Sequence, residues 1–222
     1  LGGTLCKIGS PLLSFLLCSL CTPLQSYDYD REKHGYTSMI DVNSFVDYFI
    51  INELSSNADA GNYSTYIYKG TDNLYRMCVW DFNNACNNYF EEELPYTGFF
   101  LNNRLWFEML IKDEDFTERI IQRYHSLRKG LLSEESLYRY IDETLDFIAP
   151  ALGRNDARWG NVEQQAKRLL VPVSRNLDSR SAAEGQLKGY LRNRGKWLDE
   201  NIETLRQYSA SSRVKQYNEV ND

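Results

Sequence analysis

Histidine is scarce: the 222 residues hold only His34 and His125. Zinc sites draw on clusters of His and Cys, and neither histidine has a second His at ligand spacing. His125 lies in "RYHSLR", with no nucleophile beside it, and reads as a structural helix residue. Five cysteines, Cys6, Cys18, Cys21, Cys78 and Cys86, are an odd set. Three of them crowd near the start, so they do not form a disulfide framework, and Cys18-x-x-Cys21 lacks the second ligand pair a zinc site needs. Lys and Arg are scattered without a basic block. With a formal charge of −6 and a pI near 5.1, the chain argues against a nucleic-acid partner. No apolar run reaches the ~20 residues that a membrane-spanning helix requires. The longest, "PLLSFLLCSLCTPL" from Pro11 to Leu24, has the length of a signal-peptide core, or is the remnant of an upstream region. No internal repeat is visible.

What the chain does have is core-forming material, with 42% hydrophobic and 14% aromatic residues. That supports one domain, expected over residues 27–208, after an apolar segment 1–26 and before a flexible polar tail 209–222. Sixteen tyrosines lean slightly toward an extracellular or carbohydrate-rich setting. "DVNSFVDYFIINELSSN" predicts a helix capped by Asp41 or Asn43, with Phe45, Phe49 and Ile50 on its apolar stripe and Tyr48 and Ile51 widening it. "STYIYK" and "LYRMCVW" alternate as strands around the turn "GTDN", which predicts a β-hairpin. "NNACNNYFEEELPYTGFF" reads as a structured loop. From Asn103 onward helices dominate: two within 104–130 with Asp113 or Asp115 at a cap, one from Ser133, and further ones over "NVEQQAKRLL" and 182–208. The expected fold class is α+β and mostly helical.

Asp59 and Asp81 bracket the hairpin. A turn centred on Thr71–Asp72 pairs Ser64 with Val79 and Asn62 with Asp81, which brings Asp81 to the open end, where Asp59 also enters. Asn57, Asn62, Asn83 and Asn84 surround them. Two uncompensated carboxylates at one place repel, and a hard divalent ion such as Mg²⁺ or Mn²⁺, which selects carboxylate and amide oxygens, removes that repulsion. The competing reading is local: Asp and Asn favour turns and caps because their side chains bond nearby backbone.

The segment from Asp41 to Tyr89 resembles the core of the spore coat protein H (CotH) kinase family. "NAD" (57–59) matches its N-x-D element, "NYSTYIY" (62–68) its following strand, and "VWDFN" (79–83) its P-x-W-D-x-D closure. "WFEMLIKDEDFTERIIQRYHSLRKG" and "LKGYLRNRGKWLDENI" are similar to the family's helical half, so the likeness spans roughly residues 38 to 207. The resemblance implies a protein-kinase-like C-terminal lobe and ATP-dependent phosphoryl transfer to Ser/Thr of a surface or spore-coat protein, in an extracellular or cell-surface setting. It implies that Asp59 serves as the catalytic, base-like residue and Asp81 as the metal ligand. Ser64 stands where kinases keep a metal-binding Asn, with Asn62 as the alternative amide; Asn62, Ser64 and Asn83 are the expected cofactor-binding residues, and Asn62 a second metal ligand. Val79 replaces the family's Pro, and Asn83 its second Asp. Neither Lys7 nor Lys33 lies in a strand pattern fit to contact phosphates, so the chain is expected to represent mainly the C-terminal lobe.

Two rival readings accompany this one. An inactive CotH-like surface or coat module would bind partners through its tyrosine-rich face. A metal-dependent hydrolase would use the same acids, but has no third carboxylate or His at useful spacing. Of the remaining residues, Trp80 and Cys78 are expected to pack in the core, and Glu53 to lie on a solvated or hydrogen-bonded helix face. Arg154, Asp156, Arg158 and Trp159 are read as a polar cluster, set either against the site or in a structural network, and "EEELP" as a solvated acidic loop.

Overall fold

The computed structural model describes residues 35–160 and 170–209, together with Leu24, Tyr29 and Asp30. The expected apolar start, the helix over "NVEQQAKRLL" and the tail beyond Ser209 otherwise lie outside the described residues.

Helix α1, Val42–Ser55, begins where Asp41 accepts a hydrogen bond from the Ser44 N–H. That side-chain oxygen satisfies one of the first-turn donors a helix cannot pair internally. Phe45, Phe49 and Ile50 recur on one face and are fully buried, as the spacing predicts. Strand β1, Tyr66–Lys69, pairs antiparallel with β2, Tyr75–Cys78. Four helices follow: the short α2 (Phe107–Leu110), α3 (Glu114–Arg128), α4 (Glu134–Trp159) and α5 (Arg180–Asn201), which runs into a 3₁₀ turn over Ile202–Tyr208. Among the described residues the fold is α+β and mostly helical, with a two-stranded antiparallel hairpin.

Asp113 caps α3 by accepting from the Asp115 N–H, and Ser133 caps α4 by accepting from Ser136. α4 continues through Pro150 to Trp159, so the "GRNDARW" segment is helix. There Asp156 pairs with Arg180 at the start of α5, and Arg158 lies over the adjoining Trp159 ring.

The core sits between α1, α2 and α3. Phe107 stacks parallel to Tyr48 at 6.0 Å and tilts against Phe49 at 5.5 Å, while Tyr36 meets Phe116 edge-on at 6.1 Å. Such offset and edge-on pairs are the favoured arrangements of ring quadrupoles. Leu24 is buried in the same core. Tyr36 donates to Asp113 Oδ2 at 2.6 Å; burial, then this carboxylate, push the Tyr36 phenol well above its ordinary value.

The hairpin register differs from the expected one by one residue. Tyr66 faces Cys78 and Lys69 faces Tyr75, so the turn centres on Asp72 alone. The cause is Asn73, whose φ of +67° adds a left-handed residue and lengthens the turn. Gly70 N–H donates to the Leu74 carbonyl, and Asn73 N–H to that of Gly70. Asn tolerates this backbone region better than most residues because its short side chain can bond locally. Arg76 then grips Asp72 with two guanidinium nitrogens, at 2.9 and 2.6 Å, and reaches Asp41 at 3.0 Å. The Arg76 guanidinium holds the Asp72 carboxyl well below the usual carboxylate range.

β2 is not a bare edge. Asp41 N–H donates to the Tyr75 carbonyl and Tyr75 N–H to that of Met39, a parallel bridge at Ile40. The Met77 N–H donates to Ser44 Oγ at 3.0 Å. The hairpin is thereby fixed to the start of α1.

Candidate active site

The loop after α1 carries Asp59. Ser56 ends the helix in a left-handed turn, and Asn57 and Asn52 are almost fully buried. Their amides form a relay. Asn52 Nδ2 donates to the Tyr48 carbonyl at 2.8 Å, Asn57 Nδ2 donates to Asn52 Oδ1 at 3.0 Å, and the Asp59 N–H donates to Asn57 Oδ1 at 3.3 Å. A buried amide has to be satisfied, and here its satisfaction fixes the backbone of Asp59. Arg104 braces the same loop from below through the Ala58 and Ala60 carbonyls at 2.8 and 3.1 Å. Gly61, with φ of +77°, lets the chain pass so close to Arg104 and Leu101 that an added Cβ would stand 2.9 Å from each.

Asp81 follows β2 with φ of +57°, a region a non-glycine residue enters at a cost. It is exposed, whereas Asp59 is half-buried. Beyond it the chain is pinned to α1: the Cys86 N–H donates to the Ser55 carbonyl at 2.6 Å.

Two crossed hydrogen bonds join the two arms of this region. Ser64, on the arm of Asp59, donates its hydroxyl to Asp81 Oδ2 at 3.2 Å. Asn84, on the arm of Asp81, donates its amide to Asp59 Oδ2 at 2.8 Å. Each acid is thus bonded to a residue of the opposite arm near the open end of the hairpin, Asp81 by Ser64 and not by Asn62 as the expected register had it. Asn62 and Asn83 are exposed, and their side chains bond neither acid; Asn83 instead gives its carbonyl to the Asn88 amide at 2.7 Å. Among the described residues, no three His, Cys, Asp or Glu side chains converge as a metal-binding group.

Trp80 is not in the core. β2 stops at Cys78, and Trp80 stands 61% exposed with its ring edge-on to Tyr66 at 5.8 Å. Tyr63, Tyr66, Tyr68 and Val79 are exposed as well, so the hairpin turns an aromatic surface outward. Cys78 is half-buried rather than packed away. Glu91, Glu92 and Glu93 are solvated as expected. Tyr89 donates to Glu91 Oε2 at 2.7 Å; that bond, with the nearby charges of Glu91, Asp59 and Glu92, raises its phenol above the ordinary value.

Of its two expected settings, Glu53 takes the hydrogen-bonded one and is not solvated. It is buried against Arg194 of α5 at 2.7 Å, with side-chain exposures of 1% and 0%. Its carboxylate also accepts from the backbone N–H groups of Phe100 and Leu101. Arg194 completes the joint by donating to the carbonyls of Glu53, Tyr96 and Gly98. The loop from Tyr96 to Leu101 is therefore clamped to α1 and α5 below the site. His125 contacts Glu203 at 3.4 Å, in keeping with a structural role.

A helix leading into a loop acid, a hairpin, and a second acid at its close follow one another in the chain, with each acid bonded to the opposite arm. A family profile described as "CotH kinase protein" matches residues 16–198. The chain belongs to the CotH kinase protein family. The match starts upstream of the likeness read from the motifs and takes in Leu24, which the core buries. No curated protein matches the chain significantly.

Proposed function

We propose that the chain is a metal-dependent protein kinase that moves the terminal phosphoryl group of ATP to a Ser or Thr hydroxyl, in the setting of a bacterial surface or spore coat. The observation that carries this reading is the crossed pair Ser64–Asp81 and Asn84–Asp59, which ties each acid to the opposite arm beside the hairpin. Family membership supports ATP and protein as substrates. The order of helix, acid-bearing loop, hairpin and closing acid supports a kinase-like C-terminal lobe.

In this reading Asp59 accepts the hydrogen bond of the acceptor hydroxyl and orients it. As the acceptor oxygen bonds to phosphorus, its proton passes to Asp59, and the bond to the departing ADP oxygen breaks. Holding the two reactants in line supplies most of the acceleration in phosphoryl transfer. The oxygens this reading assigns to the ion are hard ones: the Asp81 carboxylate, the Ser64 hydroxyl bonded to it, and the amide oxygens of Asn62 and Asn83, which do not bond Asp81 themselves. They suit Mg²⁺ or Mn²⁺, and Asp81 with one of these amides would hold it. When bound, such an ion neutralises the charge of the phosphates. Asp81's exposure leaves its carboxylate reachable by a nucleotide, and Ser64 already orients one of its oxygens.

Thermal denaturation with and without Mg²⁺–ATP tests the reading. A ligand at a hundredfold excess over its Kd stabilises by about 2.7 kcal/mol. The wild type is expected to gain several degrees and Asp81→Ala to gain none. An equal shift in both variants would contradict the assignment of Asp81.

A second reading, an inactive family member that binds partners, is favoured by one observation. The aromatic residues Tyr63, Tyr66, Tyr68 and Trp80 are exposed together beside the acids. The absence of any stabilisation by Mg²⁺–ATP at millimolar concentration would select it.

A further inference from the structure

Asp59 has its backbone fixed by the Asn52–Asn57 relay and by Arg104, but none of these groups touches its carboxylate. Among the described residues, the carboxylate's side-chain partner comes from the other arm. Asn84 Nδ2 donates to Oδ2 at 2.8 Å, across a separation of 25 residues. A carboxylate on a short side chain can rotate about its terminal bond, and that torsion is soft. One directional donor removes the freedom. Asn84 is itself well placed to do so, because the segment holding it is anchored by the Cys86 N–H on the Ser55 carbonyl. The amide donor is neutral, so it steers the carboxylate without adding a charge that would compete for the phosphates.

We infer that Asn84 is a positioning residue for Asp59: its amide captures Oδ2 and leaves Oδ1 as the oxygen that faces an acceptor hydroxyl. This rests on the phosphotransfer reading above for its catalytic consequence, but the contact itself does not. The arrangement also couples the arms, because the same short segment carries Asp81.

The test uses the full chain in two measurements. In the first, the side-chain amide pair of Asn84 is followed by ¹⁵N–¹H spectroscopy as pH is lowered through the carboxylate range. The pair is expected to shift with pH in the wild type and to lose that response in Asp59→Asn; a pair indifferent to both would overturn the inference. In the second, phosphate transfer is compared in wild type and Asn84→Ala, with circular dichroism confirming that the variant folds. Misplacing a catalytic group by about 1 Å costs on the order of a hundredfold, so kcat is expected to fall tenfold to a hundredfold. KM for ATP should stay within about twofold, because Asn84 does not hold the nucleotide; Asn84→Asp, which sets a like charge against Asp59, should be no more active than Asn84→Ala. A kcat within twofold of wild type in Asn84→Ala would overturn the positioning role. A wild type that transfers no phosphate defeats the phosphotransfer reading, and the spectroscopic measurement then decides the contact alone.

Discussion

Glu53 on α1 and Arg194 on α5 stand 141 residues apart in sequence and form a fully buried ion pair at 2.7 Å. Burial pushes the Glu53 carboxyl up, while Arg194 and the N–H groups of Leu101 and Phe100 oppose that shift. Arg194 also lies over the Phe100 and Trp197 rings, at 5.3 and 4.9 Å. The pair joins the site-bearing helix to the C-terminal helix and holds the intervening loop by its backbone.

Breaking that pair from one side leaves an uncompensated buried charge, which costs roughly 3–5 kcal/mol. Arg194→Met and Glu53→Gln should each lower urea stability strongly. The double variant should lose less than the sum of the two, since it leaves no orphaned charge. Equilibrium unfolding measures all three.

Trp80 should be dispensable to folding. Exposed substitutions outside special features usually change stability by no more than about 0.5 kcal/mol, whereas emptying a core site of Trp costs about 3–5 kcal/mol. Urea midpoints of wild type and Trp80→Ala are expected to agree closely.

The Cys86 thiol is pushed up to about 12 by burial, from an ordinary 9.0. The thiolate is the reactive form, so Cys86 should resist alkylation at pH 8 in the folded chain and react on unfolding. Peptide mass mapping after iodoacetamide treatment reads this directly. Because the folded state disfavours the charged form, this contribution to stability is complete below about pH 9. It is lost as the pH rises toward about 12.

Asp199 titrates in the opposite sense. Burial alone would raise its carboxyl, but Arg128, which grips both oxygens, and the Tyr124 hydroxyl hold it below the ordinary 3.8. Its contribution is present above that value and disappears as pH falls through the lowered one. The carboxylate is 42% exposed, so solvent screening limits the contribution to about 1 kcal/mol. Asp199→Asn should therefore weaken the chain near neutrality and narrow the gap to wild type in acid, as followed by urea midpoints across pH.

The features legible in the sequence were those set by local chemistry. Asp41 before an apolar stripe defined α1, "GTDN" between alternating runs defined the hairpin, and Asp113 and Ser133 marked helix starts. The hairpin's register was not legible to the residue, because it turned on one left-handed Asn73. The slipped register would set Tyr63 opposite Asp81, but the ladder ends at Tyr66 and Cys78, and beyond it the Ser64 hydroxyl, not Asn62, bonds Asp81. Trp80 was misplaced for a related reason: strand propensity continues through Val79 and Trp80, yet pairing ends at Cys78 and the backbone turns left-handed at Asp81. Glu53 carried no local sign of its partner, since nothing within α1 indicates an arginine on α5. Asn84 was visible only as one of several amides near the acids; its bond to Asp59 depends on how the loop after β2 folds back on α1.

The most direct measurement is transfer of labelled phosphate from γ-labelled ATP with Mg²⁺, using the chain itself and Ser/Thr peptides as acceptors. The account predicts incorporation onto Ser or Thr by the wild type. A carboxylate acting as general base contributes about 10²–10⁴-fold, so Asp59→Ala should lose at least a hundredfold and Asp81→Ala should fall to background. Transfer that survives both substitutions, or a wild type that transfers none, would contradict it.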